Sequence, residues 1–179
     1  KNVLAALAQH NIKALAHITG GGHTDLLTHW IDVVHWYMNV DAPVSAVSLG
    51  HNYHLKAWEA PDTVSTSLEF PNGFTCAYLG TFVSRVDDGG LEFRGDRGTL
   101  KIDRTRLAFY RDDAPYVPGS LTPEPEITIR SSGDGTVAHL QNWLDCIRTR
   151  KTPTAGIRMA HHAARSGHIA NAALRAGRR

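Results

Sequence analysis

The chain has 179 residues, 42% hydrophobic and 20% charged, with 16 glycines and 8 prolines. That is enough apolar material to build a core without a disulfide or metal staple, and it excludes intrinsic disorder as the dominant state. A net charge of +2 is too small to argue for nucleic acid or an anionic membrane as partner. No run approaches the ~20 apolar residues that a bilayer span needs, and no signal peptide is visible. Cys76 and Cys146 lack zinc spacing and read as free thiols of a reducing compartment, so a cytoplasmic location is expected.

In chain order, Asn2–His10 reads as a short helix, part of an amino-terminal helical segment over residues 1–19. Gly20-Gly21-Gly22 breaks the chain, and the domain proper is expected over residues 20–179. Thr24–Met38 is a strong helix, closed by Asn39 and Pro43. From Val44 the period changes to two. Strands are expected at Val44–Gly50, Thr63–Phe70, Phe74–Ser84, Leu91–Arg94, Thr99–Asp103, Leu107–Tyr110 and Glu126–Arg130.

One hairpin can be argued residue by residue. With Pro71-Asn72-Gly73 as its loop, Phe70 faces Phe74, Leu68 faces Cys76 and Thr66 faces Tyr78. A two-residue loop would mix the apolar and polar faces, so the longer loop is expected, with Gly73 at positive φ.

Helices then return. Leu140, Trp143, Leu144 and Ile147 form an amphipathic stripe, and an alanine-rich helix runs from Ile157 to Ala176. Strands this close in sequence cannot be joined by helical crossovers. The fold class is therefore α+β, with a mainly antiparallel sheet of about six to seven strands.

The helix after the glycine run carries the chemistry. At 100° per residue, Asp25, His29 and Asp32 share about 60° of arc, with Thr28 and His35 beside them. A carboxylate one turn before a histidine can orient it for proton transfer. The same stripe also fits a plain solvated face, and His23, Asp25, His29 and His35 offer nitrogen and oxygen ligands for a metal, though without an HExxH spacing. Lesser candidates are the glycine run as a phosphate cradle, His51 and His54 with Trp58 as pocket residues, and His161, His162 and His168 as surface or interface histidines.

The run from Gly20 through Asp25-x-x-x-His29-x-x-Asp32-x-x-x-Trp36 resembles the carboxy-terminal domain of the Gfo/Idh/MocA oxidoreductases. Gly95-Asp96-Arg97-Gly98-Thr99-Leu100 resembles that family's G-x-x-G-T-L hairpin. His139 to Pro153 resembles its closing helix, H-x-x-N-F-x-D-x-x-R-x-G-K-x-P, with Arg150 at the usual glycine.

The resemblance implies an open sheet with helices on one face, joined to an amino-terminal nucleotide-binding domain that this sequence does not contain. It implies NAD or NADP as cofactor, bound mainly by that other domain, and a sugar, cyclitol or related polyol as substrate. By position it makes His29 the proton-transfer residue and Asp25 its orienting carboxylate, with no metal. The chain alone is expected to be inactive and to form a homo-oligomer through the sheet face. The rival expectation is a non-catalytic oligomerising sheet domain with a relic motif; a metal-dependent lyase or isomerase comes third.

Overall fold

A computed structural model of the chain describes residues 21–84, 89–111, 118–119 and 124–177. The expected helix Asn2–His10 lies outside them, as does most of the segment around it. The chain divides into two compact units, one made of Lys1–Ser84 with Leu140–Arg179 and the other of Arg85–His139.

The first unit opens with a single helical turn, α1 (Gly21–Thr24), followed by α2 (Leu26–Met38). Leu27, Ile31 and Val34, at i, i+4 and i+7, are buried; Ile31 is fully inaccessible. Each such side chain contributes about 1.5–3 kcal/mol by leaving water. Asn39 ends the helix in the left-handed conformation at φ 50°, its N–H donating to the His35 carbonyl. Asparagine tolerates that conformation better than most residues do.

Three antiparallel strands follow in the order β1 (Ser45–His51), β2 (Thr63–Phe70) and β3 (Phe74–Thr81). β2 alternates strictly, burying Val64, Thr66, Leu68 and Phe70 and exposing Ser65, Ser67 and Glu69. The β2–β3 register pairs Phe70 with Phe74, Leu68 with Cys76 and Thr66 with Tyr78, as the hydrophobic pattern requires. Gly73 sits at φ 79°, and its N–H donates to the Phe70 carbonyl over 3.1 Å. The Phe70 and Phe74 rings stack at 4.7 Å.

The last helix, α4 (Ile157–Ala176), packs on α2 and β1. It buries Ala163, Ser166, Gly167 and Ala170, a seam of small side chains that brings it close. A Cβ at Gly167 would stand 2.7 Å from the His23 carbonyl oxygen, so only glycine permits this approach to α1.

The second unit holds four antiparallel strands in sequence order, β4 (Leu91–Gly95), β5 (Gly98–Ile102), β6 (Arg106–Arg111) and β7 (Ile127–Arg130). Their register sets Phe93, Leu100, Phe109 and Ile127 in one cross-strand row, with Leu91, Ile102, Leu107 and Ile129 in the next. On the other face Glu92 pairs with Arg94 at 2.7 Å and with Lys101 at 3.0 Å. Helix α3 (Gly135–Thr149) begins in this unit and buries none of its residues fully.

The α+β class and the antiparallel strands are those expected. The seven strands among the described residues stand in two sheets, and the division falls between Thr81 and Leu91. Both cysteines are free, and burial pushes the Cys76 thiol's pKa up. Among the described residues no helix is long and apolar enough to cross a membrane.

Candidate functional site

The glycine run leads directly into the interior. Gly22 is buried, and a Cβ there would stand 2.9 Å from a Val64 methyl, so the residue is small to let α1 lie against the sheet. The run reads in sequence as a turn more readily than as a phosphate cradle, and the helical turn Gly21–Thr24 has four residues and packs on β2 and β3.

The next residue, His23, is 1% exposed. Its Nδ1 lies 2.8 Å from Asn171 Oδ1 on α4, and its Nε2 lies 2.6 Å from the Thr66 hydroxyl on β2. The amide oxygen can only accept, so Nδ1 carries the proton and Nε2 accepts from Thr66. Ser48 of β1 completes the group, 2.7 Å from Thr66 Oγ1. Burial lowers the His23 pKa, the Asn171 bond opposing it. The imidazole is a neutral knot between helix and sheet.

Asp25 stands at the start of α2, half-buried, with no side-chain capping bond. Its backbone carbonyl accepts from the Thr28 hydroxyl at 2.6 Å. Tyr78 is pushed up to about 12, first by burial and then by the Asp25 charge. Its hydroxyl donates to the Gly22 carbonyl over 3.0 Å.

One turn beyond Asp25, His29 is exposed and lines a cleft of about 400 Å³ between α2 and α4. Thr28, His29 and Asp32 give the α2 wall its polarity, Met159 and Ala163 of α4 are the apolar wall, and His168 adds a second imidazole. The size is that of a small-molecule site. Among the described residues no hydrogen bond joins Asp25 to His29.

His35, expected beside the polar stripe, is turned inward instead. It is 7% exposed, with Nε2 3.1 Å from the Ser166 hydroxyl and its ring edge-on to Phe70 at 5.8 Å. Burial lowers its pKa, against the raising effect of Asp32. His23 and His35 thus belong to two separate buried networks, neither shared with His29. The four residues considered as metal ligands do not converge, and no group of three such side chains among the described residues could hold a metal ion.

His162 is half-buried beside Asp41, at 3.5 Å, while His161 is exposed. His51, the last residue of β1, and His54 and Trp58 on the loop between β1 and β2 are all exposed. That loop is tied by Asp62, itself fully inaccessible, whose carboxylate accepts from the backbone N–H groups of Tyr53, His54 and Leu55 at 3.2, 2.7 and 2.7 Å. These donors outweigh burial and hold its pKa at about 2. Sequence reasoning missed this anchor and the place of His168 in the cleft. Ala160, Ala164 and His168, each four residues apart, were the available signal for the latter.

Residues 13–179 match the family model described as the oxidoreductase family, C-terminal alpha/beta domain, of the Gfo/Idh/MocA proteins. The chain belongs to this family. No curated protein matches it. Among solved structures, the fold is similar to UDP-N-acetylglucosamine 3-dehydrogenase from Acidithiobacillus ferrooxidans (TM-score 0.67, 17% identity, 84% of this chain and 47% of that one). It is also similar to aldose-aldose oxidoreductase from Caulobacter crescentus complexed with glycerol (0.70, 18%, 89% and 47%). A third likeness is to the WlbA dehydrogenase from Bordetella pertussis in complex with NADH and UDP-GlcNAcA (0.58, 14%, 89% and 44%). The chain spans about half the length of the proteins it matches. As a Gfo/Idh/MocA C-terminal domain, it has its family-motif helix, α2, along one wall of the cleft.

Proposed function

We propose that this chain is the substrate-binding half of an NAD(P)-dependent oxidoreductase acting on a sugar, cyclitol or related polyol. The observation that carries this reading is His29, the histidine of the family's D-x-x-x-H-x-x-D helix, on the wall of a cleft of small-molecule size. In oxidation the substrate hydroxyl gives its proton to the His29 imidazole, and in reduction the imidazole returns it. Asp25, one helical turn earlier, orients the ring and balances the charge it takes up.

Gly22 of the run that suggested a phosphate seat is spent on packing against Val64, which supports placing the dinucleotide outside this turn. The nicotinamide, when bound elsewhere in the enzyme, supplies the hydride chemistry. This half supplies the substrate seat and the proton. The reading is tested by joining the chain to a Gfo/Idh/MocA nucleotide-binding domain and offering NAD or NADP with a panel of sugars and cyclitols. Polyol-dependent reduction of the nicotinamide is expected; its absence across the panel, in a fusion that binds the cofactor, would contradict it.

A further inference from the structure

We infer that His168 of α4 is a second substrate contact in this cleft, and that the cleft takes an uncharged polyhydroxy compound. The inference rests on the proposed reading of His29 and adds to it a residue and a ligand class. His168 shares one face of α4 with Ala160 and Ala164, and all three line the cleft across from His29 and Asp32. The alanines leave room where larger side chains would close the groove.

Three polar side chains of this cleft are unspent. His168 is exposed, and among the described residues its ring makes no hydrogen bond. His29 is likewise exposed, and the Asp32 carboxylate is without a hydrogen-bond partner in the same sense. A neutral imidazole presents one donor and one acceptor, and a carboxylate presents acceptors only. Hydroxyl groups, which both donate and accept, satisfy all three. A phosphate or carboxylate on the ligand would instead meet Asp32, with neither Lys nor Arg among the cleft's lining residues to receive it.

The test uses the 179-residue chain, its histidine ring signals followed by NMR during titration with glucose, myo-inositol, glucose 6-phosphate and glucosamine. Glucose or myo-inositol should shift both His29 and His168, and glucose 6-phosphate should bind more weakly. His168→Ala should weaken the neutral ligands about two- to tenfold, the value of one lost hydrogen bond, and His168→Gln should recover part of it. Both variants should keep the wild-type melting temperature and His23 signal, because the ring is exposed and makes no hydrogen bond among the described residues. Unchanged affinity in His168→Ala, with His29 still shifting, would overturn the role of His168 and leave the His29 reading standing. Tighter binding of glucose 6-phosphate, or of glucosamine alone, would overturn the ligand class. No shift at either histidine with any probe would overturn this inference and the reading beneath it.

Discussion

The ring of His23 stands 2.8 Å from the side-chain oxygen of Asn171, a partner 148 residues away in the chain. With Thr66 and Ser48 it closes a buried polar group that joins α1, the sheet and α4. Such a group stabilises only when complete, because each member left alone keeps its desolvation cost. His23→Ala should therefore cost about 2–4 kcal/mol, combining unpaired partners with a cavity. Urea unfolding checks it; a change within error would mean that water replaces the ring without loss.

The same histidine predicts a pH dependence. Burial lowers the pKa of both His23 and His35 from the ordinary 6.5, so the unfolded chain binds protons more readily than the folded one. Their contribution is fully present above pH 6.5 and is lost as the pH falls from there through their folded values. Melting temperature should drop on acidification below neutrality, and a double variant, His23→Gln with His35→Gln, should drop less. An equal slope in the variant would contradict this.

Asp62 is an acid rather than a base, yet its contribution has the same sign. Its carboxyl, held at about 2 against an ordinary 3.8, stabilises the β1–β2 loop above pH 3.8 and ceases to do so as the pH falls toward 2. Asp62→Ala should expose the amides of Tyr53, His54 and Leu55 to rapid hydrogen exchange at neutral pH. Unchanged protection at all three would show that the loop is held by other means.

The hairpin was legible because one register alone keeps Phe70, Leu68 and Thr66 on a common face with their partners, and β2 obeys it at every position. The α2 helix was legible through its apolar residues, of which Leu27, Ile31 and Val34 are buried, and its stop at Asn39. His23 was not: its partners lie 43 and 148 residues away, and a histidine after glycines gives no sign of them. His35 was misplaced for a related reason. Its side of α2 looks polar in sequence, but α4 covers it with Ser166. The division into two sheets was hidden because each strand announces itself while nothing local tells which sheet it joins.

Self-association is predicted through the outer face of the first sheet, where Val47, Leu49 and Leu79 are 53, 56 and 74% exposed. Apolar surface of this kind is normally covered. The chain should sediment as an oligomer, and Leu79→Glu should shift it toward monomer without lowering thermal stability through lost core packing. A wild-type monomer at tens of micromolar would contradict this.

No affinity for NAD(P)H is expected of the chain by itself, since the buried Gly22 packs on Val64 and leaves the four-residue α1 no open phosphate seat. Calorimetry with the folded chain should register no binding. Tight binding would place a dinucleotide site in this chain.

The central claim is that His29 moves the proton. The most direct measurement is turnover of His29→Ala in the chain joined to a Gfo/Idh/MocA nucleotide-binding domain, with Asp25→Asn beside it. Loss of His29 should lower kcat about 10²- to 10⁴-fold with the fold intact, and Asp25→Asn should cost less because the proton carrier remains. Full activity in a well-folded His29→Ala enzyme would contradict the claim and leave this helix face merely solvated.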